Sequence, residues 1–159
     1  MPRLFVDMDG VLADFDTHYK THFGVVLDRN GPEPKDLWAN IKTRPAWYDE
    51  LPVLPGAVEF FDKLRPYKPT VLSGISTKVP GCALHKRAWL DRVLGPDVPL
   101  ITCKSKDKRL HGSPGDILID DWKKYRSLWE TMGGTFILHD STTPDVSVDA
   151  VKTLLGDPS

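Results

Sequence analysis

The chain has 159 residues, 40% of them hydrophobic and 27% charged, with a net charge of −1 at neutral pH. That length suits a single domain, which at this size buries about 70% of its unfolded surface and needs no disulfide or structural metal. A charge so evenly balanced argues against an extended nucleic-acid surface or an acidic membrane as partner, yet leaves room for a small phosphate ester.

No stretch approaches the roughly 18 apolar residues of a membrane span, and the opening MPRLFVDMDG turns acidic too soon for a secretory leader. Cys82 and Cys103 stand in unrelated contexts and frame no zinc site, so they read as two reduced thiols. The expectation is one domain over residues 1–159, soluble and cytoplasmic.

In chain order, a short apolar run at 4–6 predicts a buried strand that closes on Asp7-Met8-Asp9-Gly10. About forty residues follow, 14–55, far more than a strand-to-helix loop requires. They hold Phe15, Tyr19, Phe23, Trp38, Trp47 and Tyr48 among five prolines, a density of aromatics that argues against a disordered linker. We read them as a small cap inserted over the sheet.

A helix is predicted at 57–64, with Val58, Phe61 and Leu64 on one face, and a strand at 70–72 leads to Ser73. The next helix, 84–94, places Leu84, Ala88, Val93 and Leu94 on a stripe and stops at Gly95-Pro96. Strands at 100–102, 117–119 and 135–138 alternate with a helix at 122–132, built on Tyr125, Leu128, Trp129 and Met132, and a last helix at 146–155. This alternation predicts an α/β fold of Rossmann type, a central parallel sheet flanked by helices.

In such sheets ligands bind at the carboxyl ends of the strands. There the sequence delivers Asp7 and Asp9, then Ser73, then Asp120 and Asp121, with the lysine-rich Lys104-Ser105-Lys106-Asp107-Lys108 ahead of the fourth strand. Converging carboxylates conflict unless a cation joins them. An all-oxygen ligand set favours a hard ion, and Mg2+ suits a site shared with phosphate. Such an ion also lets a carboxylate approach a phosphoryl group as nucleophile.

Each residue has a plainer reading. Asp9-Gly10 alone is a turn, Ser73 a loop serine, and the lysine run a solvated loop. His139 reads as a hydrogen-bonded structural histidine, Trp122 and Trp129 as helix-packing residues, and Trp38, Trp47 and Tyr48 as the insert's own small core. It is the set that weighs against coincidence.

DMDGVLAD after a strand, VLSG, the KDK lysines and ILIDD together resemble the four motifs of the haloacid dehalogenase superfamily. The DMDGVLADFD opening, WYDELPVLPGAVEFF, and ILIDD followed by a tryptophan-bearing helix and a Gly-Gly turn are similar to its 5'(3')-deoxyribonucleotidase branch. The resemblance implies a Mg2+-dependent phosphomonoesterase acting on nucleoside monophosphates. It implies Asp7 as the nucleophile and a metal ligand, and Asp9 as general acid/base with its carbonyl on the metal. Ser73 and a lysine would hold the phosphoryl oxygens, while Asp120 and Asp121 complete the metal site. Lys108 is favoured as that lysine over Lys104, Lys106 and Lys86. Phe15 and Trp47 are candidates to face the base. A sugar phosphate or a polynucleotide phosphate end remains open as substrate, as does a non-catalytic binding module.

Overall fold

A computed structural model describes residues 1–158. Five parallel strands, β1 (Leu4–Val6), β2 (Thr70–Gly74), β3 (Leu100–Cys103), β4 (Ile117–Asp120) and β5 (Thr135–Leu138), form one sheet in the order β3-β2-β1-β4-β5. Register sets Val6 beside both Val71 and Ile119, Ser73 beside Thr102 and Asp120 beside Leu138. The strand order reverses beside β1, so a crevice opens there at the carboxyl edge.

Alternation along the strands divides the core in two. Leu4, Val6, Val71, Ile117 and Ile119 face one apolar cluster. Phe5, Leu72, Leu118 and Phe136 face a second, closed by Trp129. Helices α3 (Ala57–Leu64), α4 (Cys82–Val93) and α6 (Pro144–Leu155) cover the first face, and α5 (Arg126–Met132) the second. Each apolar side chain so buried contributes roughly 1.5–3 kcal/mol relative to exposure.

Two helical expectations need correction. In α4 the buried residues are Cys82, Lys86, Trp89 and Leu90, while Leu84 is exposed. The helix starts two residues earlier than predicted, behind Gly81 in the left-handed region, and the inward stripe runs from Cys82. That phase carries a lysine into the interior. The predicted helix at 122–132 is divided: Trp122 is extended, Lys123–Tyr125 form a 3-10 turn, and only Arg126–Met132 are α-helical.

Residues 14–55 contain α1 (Phe15–Phe23) and α2 (Leu37–Lys42). The Asp14 carboxylate accepts from Thr17 N at 3.1 Å and caps α1, and Gly24, at φ 71°, ends it. The segment is fastened at its base, where Asp14 N donates to the Pro52 carbonyl and Leu54 N to that of Leu12. Its Phe15, Tyr19, Leu37, Ile41, Trp47 and Tyr48 are continuous with the first core cluster. Among the described residues no helix is long and apolar enough to cross a membrane.

Candidate active site

The site grows from the end of β1. Asp7 N donates to the Ile119 carbonyl at 2.9 Å, one step past the strand, and holds the Asp7 side chain over the sheet edge. The chain then turns sharply, with Leu12 N and Ala13 N both donating to the Met8 carbonyl. Gly10 allows this at φ 83°, and a Cβ there would collide with the Asp121 carboxylate.

Oxygens of Asp7, Asp120 and Asp121 all lie within 4.8 Å of one another. Asp120 ends β4 and is fixed by the Trp122 amide, which donates to its Oδ1 at 3.0 Å. Burial, and then the Asp7 charge, push Asp120 up to about 7 and Asp121 to about 8. Burial, the largest influence on Asp7, opposes its ionised form, but the Lys108 charge and hydrogen bond, a hydrogen bond with Asp120 and the Lys86 charge together hold that carboxyl below its ordinary range. A hard divalent cation fits this set. All the donors are carboxylate oxygens, two of them resist ionising without an added positive charge, and one face is open to the cavity.

Two buried lysines organise the carboxylates. Lys108 lies in a 3-10 turn, Ser105–His111, where the sequence suggested an open loop. Its Nζ donates to Asp7 Oδ1 and Asp120 Oδ2, each at 3.0 Å. Lys86, fully buried on α4, donates to Ser73 Oγ at 2.7 Å, to Asp9 Oδ2 at 3.1 Å and to the Gly74 carbonyl. Its ammonium also lies 4.7 Å from the centre of the Tyr48 ring. The other Asp9 oxygen, Oδ1, is buried with no hydrogen-bond partner.

A cavity of about 740 Å³ opens above, lined by Asp7, Asp9, Asp120 and Asp121 at its floor and by Phe15, Trp38 and Tyr48 from the 14–55 segment. Of the predicted residues, the structure brings Asp7, Asp9, Lys108, Asp120, Asp121 and Phe15 to this cavity. Ser73 lies beneath the floor, fully buried, because the β2 alternation turns its hydroxyl toward α4 and Lys86. Trp47 is also fully buried, packed edge-on against Phe15 with ring centres 5.5 Å apart, and offers no surface to a ligand. Lys104 and Lys106 stay exposed on the rim. His139 is held by Ser147 at 2.7 Å and packs on Phe60.

Sequence reasoning missed Arg29 and misplaced Trp122. Arg29 lines the cavity, pairs with Asp16 at 2.9 Å and accepts the Trp122 indole N–H on its carbonyl. Its charge also favours the ionised form of Asp121. A lone arginine in an Asp-Arg-Asn turn carries no local signal of this. Trp122 is half-buried on the cavity wall, not on a helix.

No protein-family model matches the chain. A protein of Bordetella pertussis, provisionally named a 5'(3')-deoxyribonucleotidase, is 32% identical over 137 residues, 74% of this chain and 73% of its own. The human cytosolic 5'(3')-deoxyribonucleotidase is 28% identical, over 86% of this chain and 78% of its own. In fold, the chain is like a hydrolase of the HAD family from Deinococcus radiodurans, solved with bound phosphate and sodium. The TM-score is 0.50 at 14% identity, over 92% of this chain and 87% of that one. The fold is thus that of the haloacid dehalogenase hydrolases, and the enzyme is a phosphatase. Within that class the chain belongs to the 5'(3')-deoxyribonucleotidase family.

Proposed function

We propose that this protein is a Mg2+-dependent nucleotidase that releases phosphate from nucleoside 5'- or 3'-monophosphates through an aspartyl-phosphate on Asp7. The observation that carries the reading is the cluster of Asp7, Asp120 and Asp121 within 4.8 Å, locked by Lys108 at the floor of a cavity. Deoxyribonucleotides as substrate come from the names of the relatives.

Asp7, Asp120 and Asp121 would hold the magnesium ion. When bound, the ion supplies positive charge that offsets the carboxylates and draws the phosphoryl group toward them. A carboxylate oxygen of Asp7 attacks phosphorus, and the bond from phosphorus to the sugar oxygen breaks. Asp9 gives that oxygen a proton. Asp9 then takes a proton from water, whose oxygen attacks the same phosphorus and frees inorganic phosphate and Asp7. Lys108 neutralises the phosphoryl oxygens. Ser73, turned from the cavity, acts by fixing Lys86 against Asp9. Residues 14–55 serve as the cap, and Phe15 and Tyr48 form the apolar wall for the base.

The test is phosphate release from thymidine 5'- and 3'-monophosphate with Mg2+. Activity should vanish with EDTA and fall at least about a thousandfold in Asp7→Asn, as for loss of a nucleophile. Turnover by Asp7→Asn near the unmodified rate would sink the covalent mechanism.

A further inference from the structure

The chain carries thirteen lysines and a net charge of −1, yet six of those lysines line the one cavity above Asp7. Lys108 belongs to the reaction site at the floor, bonded to Asp7 and Asp120. Lys78, Lys104, Lys106, Lys123 and Lys124 are exposed along the rim. Among the described residues the lysines paired to carboxylates are Lys63, Lys86 and Lys108, so none of these five is neutralised. The acids on the rim are Asp28 and Glu33, occupied by the Asn30 amide and the Trp38 indole. Positive charge therefore exceeds negative around the mouth.

The chemistry at the floor does not need that excess. A single terminal phosphate is already met by Lys108 and the cation, and the rim lysines belong to different segments surrounding it. They are also interleaved with aromatic faces. Trp122-Lys123-Lys124-Tyr125 is one run, with Lys124 Nζ 5.1 Å from the Trp122 ring centre and 5.4 Å from that of Tyr125. Trp122 and Tyr125 are both half-buried on the cavity wall, and Trp38 stands in the same lining. Unpaired lysines alternating with aromatic faces form the surface that holds single-stranded nucleotide chains, the charge following phosphates and the rings taking bases.

We propose that the rim binds a second phosphate of the substrate, and that the preferred substrate class is a short single strand ending in a phosphomonoester. This rests on the phosphatase reading above and extends it. The terminal phosphate enters over Asp7, and the next phosphodiester lies against the lysines. The bond broken is still that of the terminal monoester. A nucleoside 3',5'-bisphosphate offers the same second phosphate without a second base, so it separates the contribution of charge from that of stacking.

The experiment compares kcat/KM of the full chain with Mg2+ on thymidine 5'-monophosphate, thymidine 3',5'-bisphosphate and 5'-phosphorylated dithymidine. The dinucleotide should exceed the monophosphate at least about threefold, the scale of one or two exposed charge pairs. That ratio should shrink with added salt and in the Lys104→Gln/Lys106→Gln and Lys123→Gln/Lys124→Gln double variants. Bisphosphate equal to dinucleotide assigns the whole effect to the second phosphate, bisphosphate between the other two adds a share for the second base, and bisphosphate equal to monophosphate refutes binding of a second phosphate at the rim. A ratio of one or less, or one that neither double variant nor salt changes, overturns the proposal while hydrolysis of the monophosphate leaves the nucleotidase reading intact. Calorimetric binding of the three ligands to Asp7→Asn tests the rim without turnover. Tighter dinucleotide binding there, with no phosphate released from any substrate by the unmodified chain, supports the rim and refutes the nucleotidase reading. Equal binding of all three refutes the rim.

Discussion

Replacing Asp121 by asparagine should stabilise the metal-free protein and remove its response to magnesium. Asp121 is crowded by Asp7 and Asp120, and burial first and Asp7 second raise its carboxyl to about 8 from an ordinary 3.8. At about 1.36 kcal/mol per pH unit, that displacement costs the folded state on the order of 4 kcal/mol at neutral pH. Partial exposure to water reduces it to about 2 kcal/mol. The sign follows from the raised value. The contribution of this group is most favourable below about pH 4 and is lost as pH climbs toward about 8, whereas asparagine does not titrate. Asp121→Asn should therefore melt about 4–8 °C higher than the unmodified chain near pH 8 in EDTA, given the size of the domain, and at about the same temperature near pH 4. Saturating Mg2+ should reverse the order, since a ligand at a hundred times its dissociation constant stabilises by about 2.7 kcal/mol and the variant lacks one ligand. Differential scanning calorimetry at several pH values, with and without the ion, reads all of this. A metal-free variant less stable than the parent near pH 8, or one that Mg2+ stabilises as fully, would refute the reasoning.

Other consequences are more direct. Lys108→Met leaves Asp7 and Asp120 facing each other without their shared cation; urea unfolding of the metal-free protein should show a loss of about 3–5 kcal/mol, and an unchanged midpoint would contradict the pairing. Lys86→Met strips Asp9, Ser73 and Gly74 of one common donor, so both stability and phosphate release should fall, and activity at the parental rate would show that Lys86 does not position Asp9. Gly10→Ala sets a methyl against the Asp121 carboxylate at a positive φ; a folded variant should lose its magnesium-dependent rise in melting temperature, and retention of the full rise would rule out Asp121 as a ligand held by that contact. Trp47→Ala should cost about 3–5 kcal/mol as a core cavity, measured by urea unfolding, because Trp47 is fully enclosed by the aromatic cluster of residues 14–55; a loss below about 1 kcal/mol would show that the cluster repacks without it.

The five strands were legible because each is a short apolar run cut off by turn residues or acids, a pattern contained in a handful of neighbours. The same locality revealed Asp7, Asp9, Asp120 and Asp121, since a carboxylate just past a buried strand lies at the sheet edge wherever the rest of the chain goes. The lysines were another matter. Four were in contention, and which of them enters the interior depends on partners far along the chain: Lys108 meets Asp7 across 101 residues, and Lys86 meets Asp9 across 77. The phase of α4 also escaped the sequence, because Leu84 and Ala88 make as plausible a stripe as Cys82, Lys86 and Trp89 until the helix is packed. Composition marked the aromatics of residues 14–55 as structured but could not tell the exposed from the enclosed. Packing alone separates Phe15 on the cavity wall from Trp47 behind it. The sequence by itself determined the strands and the acids at their ends, because those depend on near neighbours. Only the tertiary structure decided which cations reach those acids and which rings face the cavity, because burying a charge or a ring is settled by segments that meet only when the chain is folded.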